Sequence, residues 1–348
     1  MTGLMTRGLP ARFIPGYASV EYTLRKRRNE GRLRKGRRLH RVSAYYSGRH
    51  RMLEAEECAC LAVDTLAGAE PSAERDALLA EALTGLGRVA RIRGRYDEAE
   101  SALQHALTLL APWGDGGSVR ISALAGLGIV CKDTGRFTEA EQMYQQLEQE
   151  LLHAGNSAGP AMADLHHNRA GLAHVQGHFR TGEILAREAV AIRIRLLGDA
   201  HPLVAADESV LAANLAGQGR LAEAEALYRR ILACFARQSP PDEYEIAVNV
   251  HGLAGVLAAH GRYAEAERLY RRALAVKENL VGPENAEVAL VLNNLAVLLH
   301  SQGRTDEAEF CYQRCSSILD ATLGPDHPTA DLARRNRERS LAPVPSGG

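Results

Sequence analysis

The histidines and cysteines are the residues of this chain whose chemistry would suggest a catalytic or metal site. His166 and His167 are adjacent, and His174 follows about two turns later on the same predicted helix. Tetrahedral zinc needs four ligands, and no cysteine or carboxylate cluster completes this set at a suitable spacing. Cys58 and Cys60 are two residues apart, so on a helix their thiols point in different directions. The sequence therefore predicts no metal site.

The remaining candidate motifs also favour structure over chemistry. Cys311 and Cys315 share one helix face, but Cys315 takes a small position between helices that Ala106 and Ala273 occupy elsewhere, so core packing explains it. The segment Gly114–Gly117 lacks the lysine and the preceding strand of a phosphate-binding loop. No serine or cysteine nucleophile motif occurs. We expect no enzymatic activity and no cofactor.

The composition indicates an α-helical protein of the cytoplasm. Hydrophobic residues make up 46% of the chain and aromatic residues only 5%, so the core must consist mainly of Ala, Leu and Val. The six cysteines lack the spacing of a disulfide-rich secreted scaffold and are expected to be reduced. No run of 18 apolar residues is present, and the N-terminus has no continuous apolar segment, so neither a membrane span nor a secretory signal is predicted.

A formal net charge of +0 conceals a strong asymmetry along the chain. Residues 1–52 contain 14 Lys and Arg against 2 Asp and Glu, with ten of the basic residues between positions 25 and 41. Such a block repels itself, so we expect residues 1–47 to form a basic, largely disordered arm or a frayed helix. Contact with nucleic acid or another polyanion is one alternative, although no base-reading motif is present. An over-long gene start is another.

The rest of the chain repeats itself. A stretch that begins Gly-Arg-Tyr-Ala-Glu-Ala-Glu at residue 261 recurs, with variations, at spacings of 41, 42, 42, 42 and 42 residues. A fixed period in this range is typical of a helical repeat solenoid. The turn glycines that anchor the copies are Gly94, Gly135, Gly177, Gly219, Gly261 and Gly303.

Each copy predicts two helices that cross closely at the turn. Five residues after every turn glycine, and seven residues before it, the residue is Ala or Gly. Small side chains at both points let two antiparallel helices approach each other. Nine residues after the glycine, bulkier side chains fill the space toward the next copy. They are Leu103, Tyr144, Tyr228, Tyr270 and Tyr312, with Ala186 as the exception.

This pattern resembles the tetratricopeptide repeat. The 42-residue period, Leu-Asn-Asn-Leu-Ala at 292–296, and the Leu-Gly-x-x-His-Pro loops at 197–202 and 323–328 resemble the kinesin-light-chain type of repeat in particular. The resemblance covers about residues 75–340. It implies a right-handed superhelix whose first helices line a concave groove that binds peptide segments. It does not imply a kinesin subunit, because a basic arm stands where light chains have a coiled coil.

The resemblance also implies where a partner would bind. Side chains of the first helices that face inward would line the groove, and the asparagines are favoured because an amide both donates to and accepts from a peptide backbone. Asn293, Asn294 and Asn168 match asparagine positions of the family. Ordinary helix surface is the alternative interpretation for each residue. The full set of predicted partner-binding residues is Arg88, Arg91, Lys132, His167, Asn168, His174, His251, Asn293, Asn294 and His300.

The predicted fold is all-α, an α-solenoid of about six tetratricopeptide repeats plus capping helices. Its divisions are the arm at 1–47, a degenerate capping repeat at 48–74, the array at 75–341 and a loose tail at 342–348. The predicted function is a non-enzymatic scaffold that binds a peptide or protein partner. A ligand-responsive regulator with a basic arm that contacts a polyanion, and a self-assembling structural subunit, are the alternatives. Repeat three, at about 160–197, is expected to open first, because it departs most from the pattern.

Overall fold

The computed structural model describes residues 17–113 and 117–341, and within them the chain forms fifteen α-helices and a 3-10 turn at Ala111–Trp113. The helices are α1 (Tyr17–Ser47), α2 (Met52–Ala67), α3 (Ala73–Ile92), α4 (Tyr96–Leu110), α5 (Gly117–Asp133), α6 (Phe137–His153), α7 (Pro160–Val175), α8 (Phe179–Leu197), α9 (Pro202–Gly217), α10 (Leu221–Ala236), α11 (Glu243–Ala259), α12 (Tyr263–Val281), α13 (Ala286–Ser301), α14 (Thr305–Thr322) and α15 (Pro328–Leu341).

These helices pair in sequence into hairpins that stack into a solenoid. Each odd-numbered helix from α1 to α13 packs on the helix that follows it and on the next odd-numbered helix, and α15 packs on α13 and α14 at the C-terminal end. This arrangement confirms the predicted all-α solenoid.

The turn glycines adopt the left-handed backbone that their spacing predicts. Gly94, Gly135 and Gly219 have φ of 76°, 76° and 77°. In each of these turns the amide of the next residue donates to a carbonyl five residues earlier, as Arg220 does to Leu215 at 3.0 Å. This bond satisfies a carbonyl at the helix end. A residue with a Cβ is strained in this conformation, which is why glycine recurs.

The small positions lie at the crossings of paired helices. A Cβ on Gly128 would overlap the ring of Tyr144, and one on Gly87 would lie 2.7 Å from Cγ of Leu103. Tyr144 and Leu103 are the predicted filling residues, and both are buried. The small positions and the filling positions thus fit one another directly.

A ladder of ion pairs joins successive second helices on the turn side. The arginine after a turn glycine contacts a glutamate of the preceding second helix, at 2.8 Å for Arg220 and Glu183 and at 2.8 Å for Arg304 and Glu267. The same pairing recurs elsewhere in the array. At the third turn the arginine is replaced by His178, and the corresponding Glu141 pairs with Arg169 instead.

The prediction of a largely disordered arm is wrong for residues 17–47, which form helix α1. Its inward face is buried at Leu33 and Ser43, and the Ser43 hydroxyl donates to the Ala55 carbonyl at 2.6 Å. Arg37 pairs with Glu74 at 3.0 Å. The basic residues do not prevent folding, because most of them lie on the opposite, exposed face.

Helix α1 and α2 form a hairpin built like the others. His50, with φ of 55°, occupies the left-handed turn position that is glycine in the other copies. The amide of Arg51 donates to the Tyr46 carbonyl at 3.1 Å, which is the same bond that ends the other first helices. The regular pairing of helices therefore begins at α1.

The solenoid curves until its two ends meet along a polar seam. Three helix N-cap residues, Asp242, Asn285 and His327, face the C-terminal ends of α1, α3 and α5. The Asn285 amide donates to the Ile92 carbonyl at 2.9 Å, and Nε2 of His327 lies 3.1 Å from the Asp133 carbonyl. The carboxylate of Asp242 lies 3.4 Å from Nε2 of His50.

Parts of the chain lie outside this description. Residues 1–16, the start of the predicted arm, and residues 342–348, the predicted tail, are outside the described residues. Between residues 17 and 341, apart from 114–116, none of the helices combines the length and the apolar character needed to cross a membrane.

Candidate functional site

The concave face holds a groove of about 590 Å³ between helices α1, α3, α5 and α7. Most of the lining residues lie at equivalent positions of the first helices. These positions are 13, ten, nine and six residues before the turn glycine. In α3 these positions include Glu81, Gly85 and Arg88, and in α7 they include Asp164 and Asn168. Four consecutive repeats thus build one surface from equivalent positions.

Glycines open the floor of this groove. Gly85 and Gly126 stand nine residues before their turns, where later repeats have Asn168 and Asn294. A Cβ on Gly126 would lie 3.0 Å from the Leu103 side chain, so the floor there is already in contact with the core. A Cβ on Gly85 would likewise lie 3.1 Å from the His40 ring, so at both positions backbone forms the floor of the groove.

On one wall of the groove, His167 is oriented by a buried charge network. Its Nδ1 lies 2.9 Å from the carboxylate of Asp207, which also accepts a 2.9 Å hydrogen bond from Nε of Arg193. Asp207 and Arg193 are both buried, and Arg193 also contacts Asp164. Nδ1 of His167 is held toward Asp207, so Nε2 is the ring nitrogen that can form a hydrogen bond with a ligand.

Two arginines extend along helix α3 in this groove. Arg91 pairs with Asp133 at 2.8 Å, and this carboxylate, against the effect of burial, raises the pKa of Arg91. Arg88 lies one turn earlier and is exposed to the groove. Partial burial, and then repulsion from Arg91, lower the pKa of Arg88. Arg88 is thus a cation whose charge is not neutralised.

A second cavity, of about 370 Å³, lies beside the seam and includes Arg91 and Lys132. Its charged groups are paired with one another. Lys277 contacts Glu287 at 2.6 Å, and the Tyr244 hydroxyl donates to Glu287 at 2.8 Å. These pairs lie where the two parts of the solenoid meet, whereas the first groove also presents Arg88 and Asn168, for which the described residues provide no hydrogen bond or ion pair.

The predicted asparagines of α13 are largely engaged with each other. The Asn336 amide donates to Asn293 at 3.1 Å, Asn293 donates to Asn294 at 3.2 Å, and Nδ2 of Asn294 lies 2.8 Å from Nε2 of His251. Asn293 is only 9% exposed. Burial, and then the charge of Lys277, lower the pKa of His251 to about 3. Its imidazole is therefore neutral and accepts the hydrogen bond from Asn294.

The two remaining predicted histidines occupy equivalent positions three residues before their turns. His174 packs against the ring of Phe179, with 5.4 Å between centroids, and burial followed by the charge of Lys132 lowers its pKa. The Nδ1 atoms of His174 and His300 are buried and have no hydrogen-bond partner within the described part of the chain. Neither residue lines the groove between α1 and α7.

Of the ten predicted residues, the structure brings four together in that groove: Arg88, Arg91, His167 and Asn168. The groove also contains residues that sequence reasoning missed, because α1 was expected to be disordered and because small or acidic residues gave no family signal. The shared register of the first helices could have identified most of them. These residues are His40, Glu81, Ser118, Ser122 and Asp164.

The described residues do not converge on a metal. Among residues 17–113 and 117–341, no three His, Cys, Asp or Glu side chains are placed to hold an ion. Cys315, at the predicted small position, is buried in the core, and burial raises the pKa of its thiol to about 12. The thiol is a packing group.

Stacked two-helix hairpins with a groove lined by their first helices define a helical-repeat protein, an α-solenoid. Models of the tetratricopeptide repeat match residues 78–149, 245–321, 167–203 and 209–230, which is more than half of the chain. The chain belongs to the tetratricopeptide repeat family.

Two solved structures share the fold over most of the chain. A Rap protein in complex with Competence and Sporulation Factor is 15% identical, covers 90% of this chain and 87% of its own, and has a TM-score of 0.60. NprR in complex with its cognate peptide NprX is 12% identical, with coverages of 86% and 84% and a TM-score of 0.60. A putative kinesin light chain from Podosopora anserina is 22% identical, with coverages of 58% and 96% and a TM-score of 0.41.

No curated protein sequence is significantly similar to this chain.

Proposed function

We propose that this protein is a non-enzymatic scaffold that binds a peptide segment of a partner in the groove between α1 and α7. The observation that carries the proposal is the groove itself, which is continuous across four repeats and is lined by both donors and acceptors. A surface of this kind suits an extended peptide, whose backbone presents both hydrogen-bonding groups along its length.

The groove side chains support this role in detail. His167 offers its Nε2 atom on the groove wall, Asn168 offers an amide, and Ser118 offers a hydroxyl that can donate or accept. The Ser122 hydroxyl donates to the Ser118 carbonyl at 2.8 Å and can accept from a ligand. At Gly126 the floor of the groove is backbone that packs on the Leu103 side chain. The Rap and NprR structures, which share the fold, contain a bound factor and a bound peptide respectively.

The alternative in which a basic arm regulates contact with a polyanion has less support. The basic segment from Arg25 to Arg41 belongs to a helix of the solenoid, and three of its arginines contact groups on α2, α3 or the loop between them. A deletion of residues 1–47 would remove the first helix of the array and one wall of the groove. Such a deletion therefore cannot separate the two functions.

A groove-filling substitution tests the proposal. Ser122 is exposed on the groove wall, so Ser122→Trp should fill the groove and leave the core intact. Gln142 is exposed on the outer helix α6 of the same repeat, and Gln142→Trp is the matched control. Peptides would be selected from a random displayed library on the wild-type protein, and their affinities would then be measured on all three proteins by fluorescence anisotropy.

We expect the selected peptides to bind the wild-type protein and Gln142→Trp equally, and to lose at least tenfold in affinity on Ser122→Trp, about 1.4 kcal/mol. Equal binding to all three proteins would exclude this groove. Failure of the wild-type protein to select any peptide above background would remove peptide binding as the function.

A further inference from the structure

Helix α1, the first helix of the described array, carries a row of cations on its outer side. Gly36 and Ser43 are buried where the helix packs on α2. Arg27, Arg34 and Arg38 are exposed, and their spacings of seven and four residues place them on one stripe of the helix, opposite the buried pair. The stripe is about 17 Å long, at 1.5 Å per residue.

The cations on this side of α1 have no partner in the protein. Two more of them flank the stripe, and within the described part of the chain none of the five makes a hydrogen bond or an ion pair. We call this surface the basic face of α1, and it consists of Arg27, Arg28, Arg34, Lys35 and Arg38.

The carboxylates near α1 do not neutralise the basic face. Glu74 pairs with Arg37 at 3.0 Å, on the side toward α3, and Glu54 of α2 pairs with Arg51. Glu30 is the one acidic residue between positions 25 and 47, and the five cations outnumber it. The basic face therefore keeps a net positive charge.

The C-terminal end of the array is built differently. The cap α15 is also rich in arginine, but Arg335 contacts Asp331 at 2.8 Å and Arg337 contacts Glu309. A polar outer surface is enough to keep the end of a repeat array in solution. Like charges that are neighbours on a helix destabilise it, so solubility alone does not require five unpaired cations on α1.

We infer that the basic face of α1 binds double-stranded DNA through its backbone phosphates. The inference goes beyond the proposed function, because this face lies outside the peptide groove and needs no ligand there. Duplex DNA carries one negative charge per about 1.7 Å of its axis, so a straight row of cations about 17 Å long meets several phosphates at once. A guanidinium matches a phosphate with two parallel hydrogen bonds. Such contacts carry no sequence information.

The chemistry of the basic face favours duplex DNA over other polyanions. Single strands need aromatic side chains on which bases stack, and the exposed ring of Tyr45 is covered by the guanidinium of Arg49, 3.9 Å from the ring centroid. A helix that lies on a membrane needs an apolar side toward the lipid. The apolar side of α1 is instead buried in the fold, as at Leu33.

A charge-matched pair of variants tests the inference. One variant, the α1 variant, combines Arg34→Gln, Lys35→Gln and Arg38→Gln. The control variant removes the same net charge from exposed arginines of the second helices α8 and α12 that make no ion pair among the described residues. It combines Arg180→Gln, Arg268→Gln and Arg272→Gln. Circular dichroism would verify that each protein folds.

Binding would be measured by fluorescence anisotropy on a labelled DNA duplex of about 20 base pairs, between about 0.05 and 0.2 M salt. We expect the wild-type protein and the control variant to bind with a Kd of about 1–100 μM, as is usual for contacts to phosphates alone. The α1 variant should bind at least tenfold more weakly. Its plot of log K against log salt should be flatter by about 2 to 3, because each phosphate contact contributes about 0.9 to that slope.

Peptide affinity separates this inference from the proposed function. Peptides selected on the wild-type protein should bind the α1 variant equally well, because its three substitutions lie outside the groove lining. A loss of DNA binding with intact peptide binding would place the two activities on different surfaces.

Three results would overturn the inference. The first is no binding of the duplex to the wild-type protein at the lowest salt, and the second is an equal loss of affinity in the α1 and control variants. The third comes from competition at equal charge concentration. Single-stranded DNA, poly-glutamate or phosphatidylserine vesicles that displace the labelled duplex better than unlabelled duplex does would identify a different partner.

Discussion

The side-chain amide of Asn285 donates a 2.9 Å hydrogen bond to the carbonyl of Ile92, 193 residues earlier in the chain. The same side chain caps helix α13, because its oxygen accepts from the amide of Glu287 at 2.9 Å. His327 repeats this double role one repeat later. Its Nδ1 accepts from the Thr329 amide at 3.1 Å, which leaves Nε2–H to donate to Asp133. The residues that start the late helices thus also hold the solenoid closed.

The closure can be tested without loss of the caps. Aspartate accepts a hydrogen bond at an N-cap but has no amide or ring N–H to donate. The double variant Asn285→Asp with His327→Asp should therefore keep both caps and break both seam bonds. We expect a larger radius of gyration by small-angle X-ray scattering, because the two ends of the solenoid separate.

The equivalent cap residue His201 supplies the control for this experiment. It accepts from the Leu203 amide at 3.1 Å and, among residues 17–113 and 117–341, has no hydrogen bond across the seam. His201→Asp should leave the radius of gyration unchanged. Identical scattering from the wild-type protein and the double variant would show that the seam bonds do not hold the ends together.

Gly182 and Asn214 form a matched exception to the repeat pattern. Every other copy has Ala at the position of Gly182, and a Cβ there would overlap Oδ1 of Asn214. The equivalents of Asn214 are Val or Leu. The Asn214 amide donates to the Val210 carbonyl at 2.9 Å, and its Oδ1 is buried with no partner among the residues that the structure describes. Gly182→Ala should cost about 1–3 kcal/mol in the free energy of unfolding, because the core is overpacked.

The double variant Gly182→Ala with Asn214→Val restores the residues of the other copies, and it should recover most of that loss. Urea denaturation of the wild-type protein, both single variants and the double variant would give the coupling energy, which we expect to be about 1–3 kcal/mol. Additive effects of the two substitutions would show that these side chains do not constrain each other.

The period of the sequence was sufficient to predict the hairpins, the left-handed turns and the close crossings, because all of these depend on residues within one repeat. A degenerate copy at 48–74 was recognised from the sequence, but helix α1 was missed because its basic residues were expected to repel one another, whereas they lie on its exposed face. The seam was missed for a different reason. Contacts such as Asn285 with Ile92 depend on the pitch of the whole superhelix, and no local pattern encodes that pitch.

The sequence alone also does not predict the contacts of single side chains, as two asparagines show. Asn168 and Asn294 occupy equivalent positions, nine residues before their turn glycines, and the sequence alone predicts that both lie in the groove. Asn168 lines the groove, but Asn294 is hydrogen-bonded to Asn293 and His251. The difference lies in the neighbouring repeat, which supplies His251 as a partner for Asn294 but no histidine for Asn168.

His251 should make stability depend on pH. Burial lowers its folded-state pKa to about 3, below the unfolded value of about 6.5. Below pH 6.5 the unfolded state binds a proton at His251 that the folded state does not bind. The contribution of the neutral His251 to stability is therefore complete above that pH and is lost as the pH falls toward 3. Between pH 7 and pH 5 this loss should be about 2 kcal/mol at most.

His251→Asn removes the titrating group and places there the residue type found at Asn293, the equivalent position of the next repeat. Urea midpoints measured between pH 7 and pH 5 should fall more steeply for the wild-type protein than for the variant. Parallel pH profiles would mean that His251 takes up a proton equally well in the folded and the unfolded states.

Repeat three, α7 and α8, is expected to open before the other hairpins. Arg169 replaces a leucine and pairs with Glu141 and Glu148, Ala186 replaces a bulky filling residue, and His178 interrupts the ladder of ion pairs. Fewer buried apolar contacts and a missing ion pair lower the free energy of local opening. Hydrogen exchange should therefore be fastest, among the helices of the array, in α7 and α8.

His178→Arg provides a direct test of the missing ladder contact. An arginine at this turn should reach Glu141 as its equivalents reach their glutamates, and should slow exchange in α7 and α8 by an amount that corresponds to about 0.2–1 kcal/mol. Exchange in the hairpin of α11 and α12, whose Arg262–Glu225 contact of 2.6 Å is intact, should not change. Uniform protection of all the hairpins in the wild-type protein would contradict the expectation that repeat three opens first.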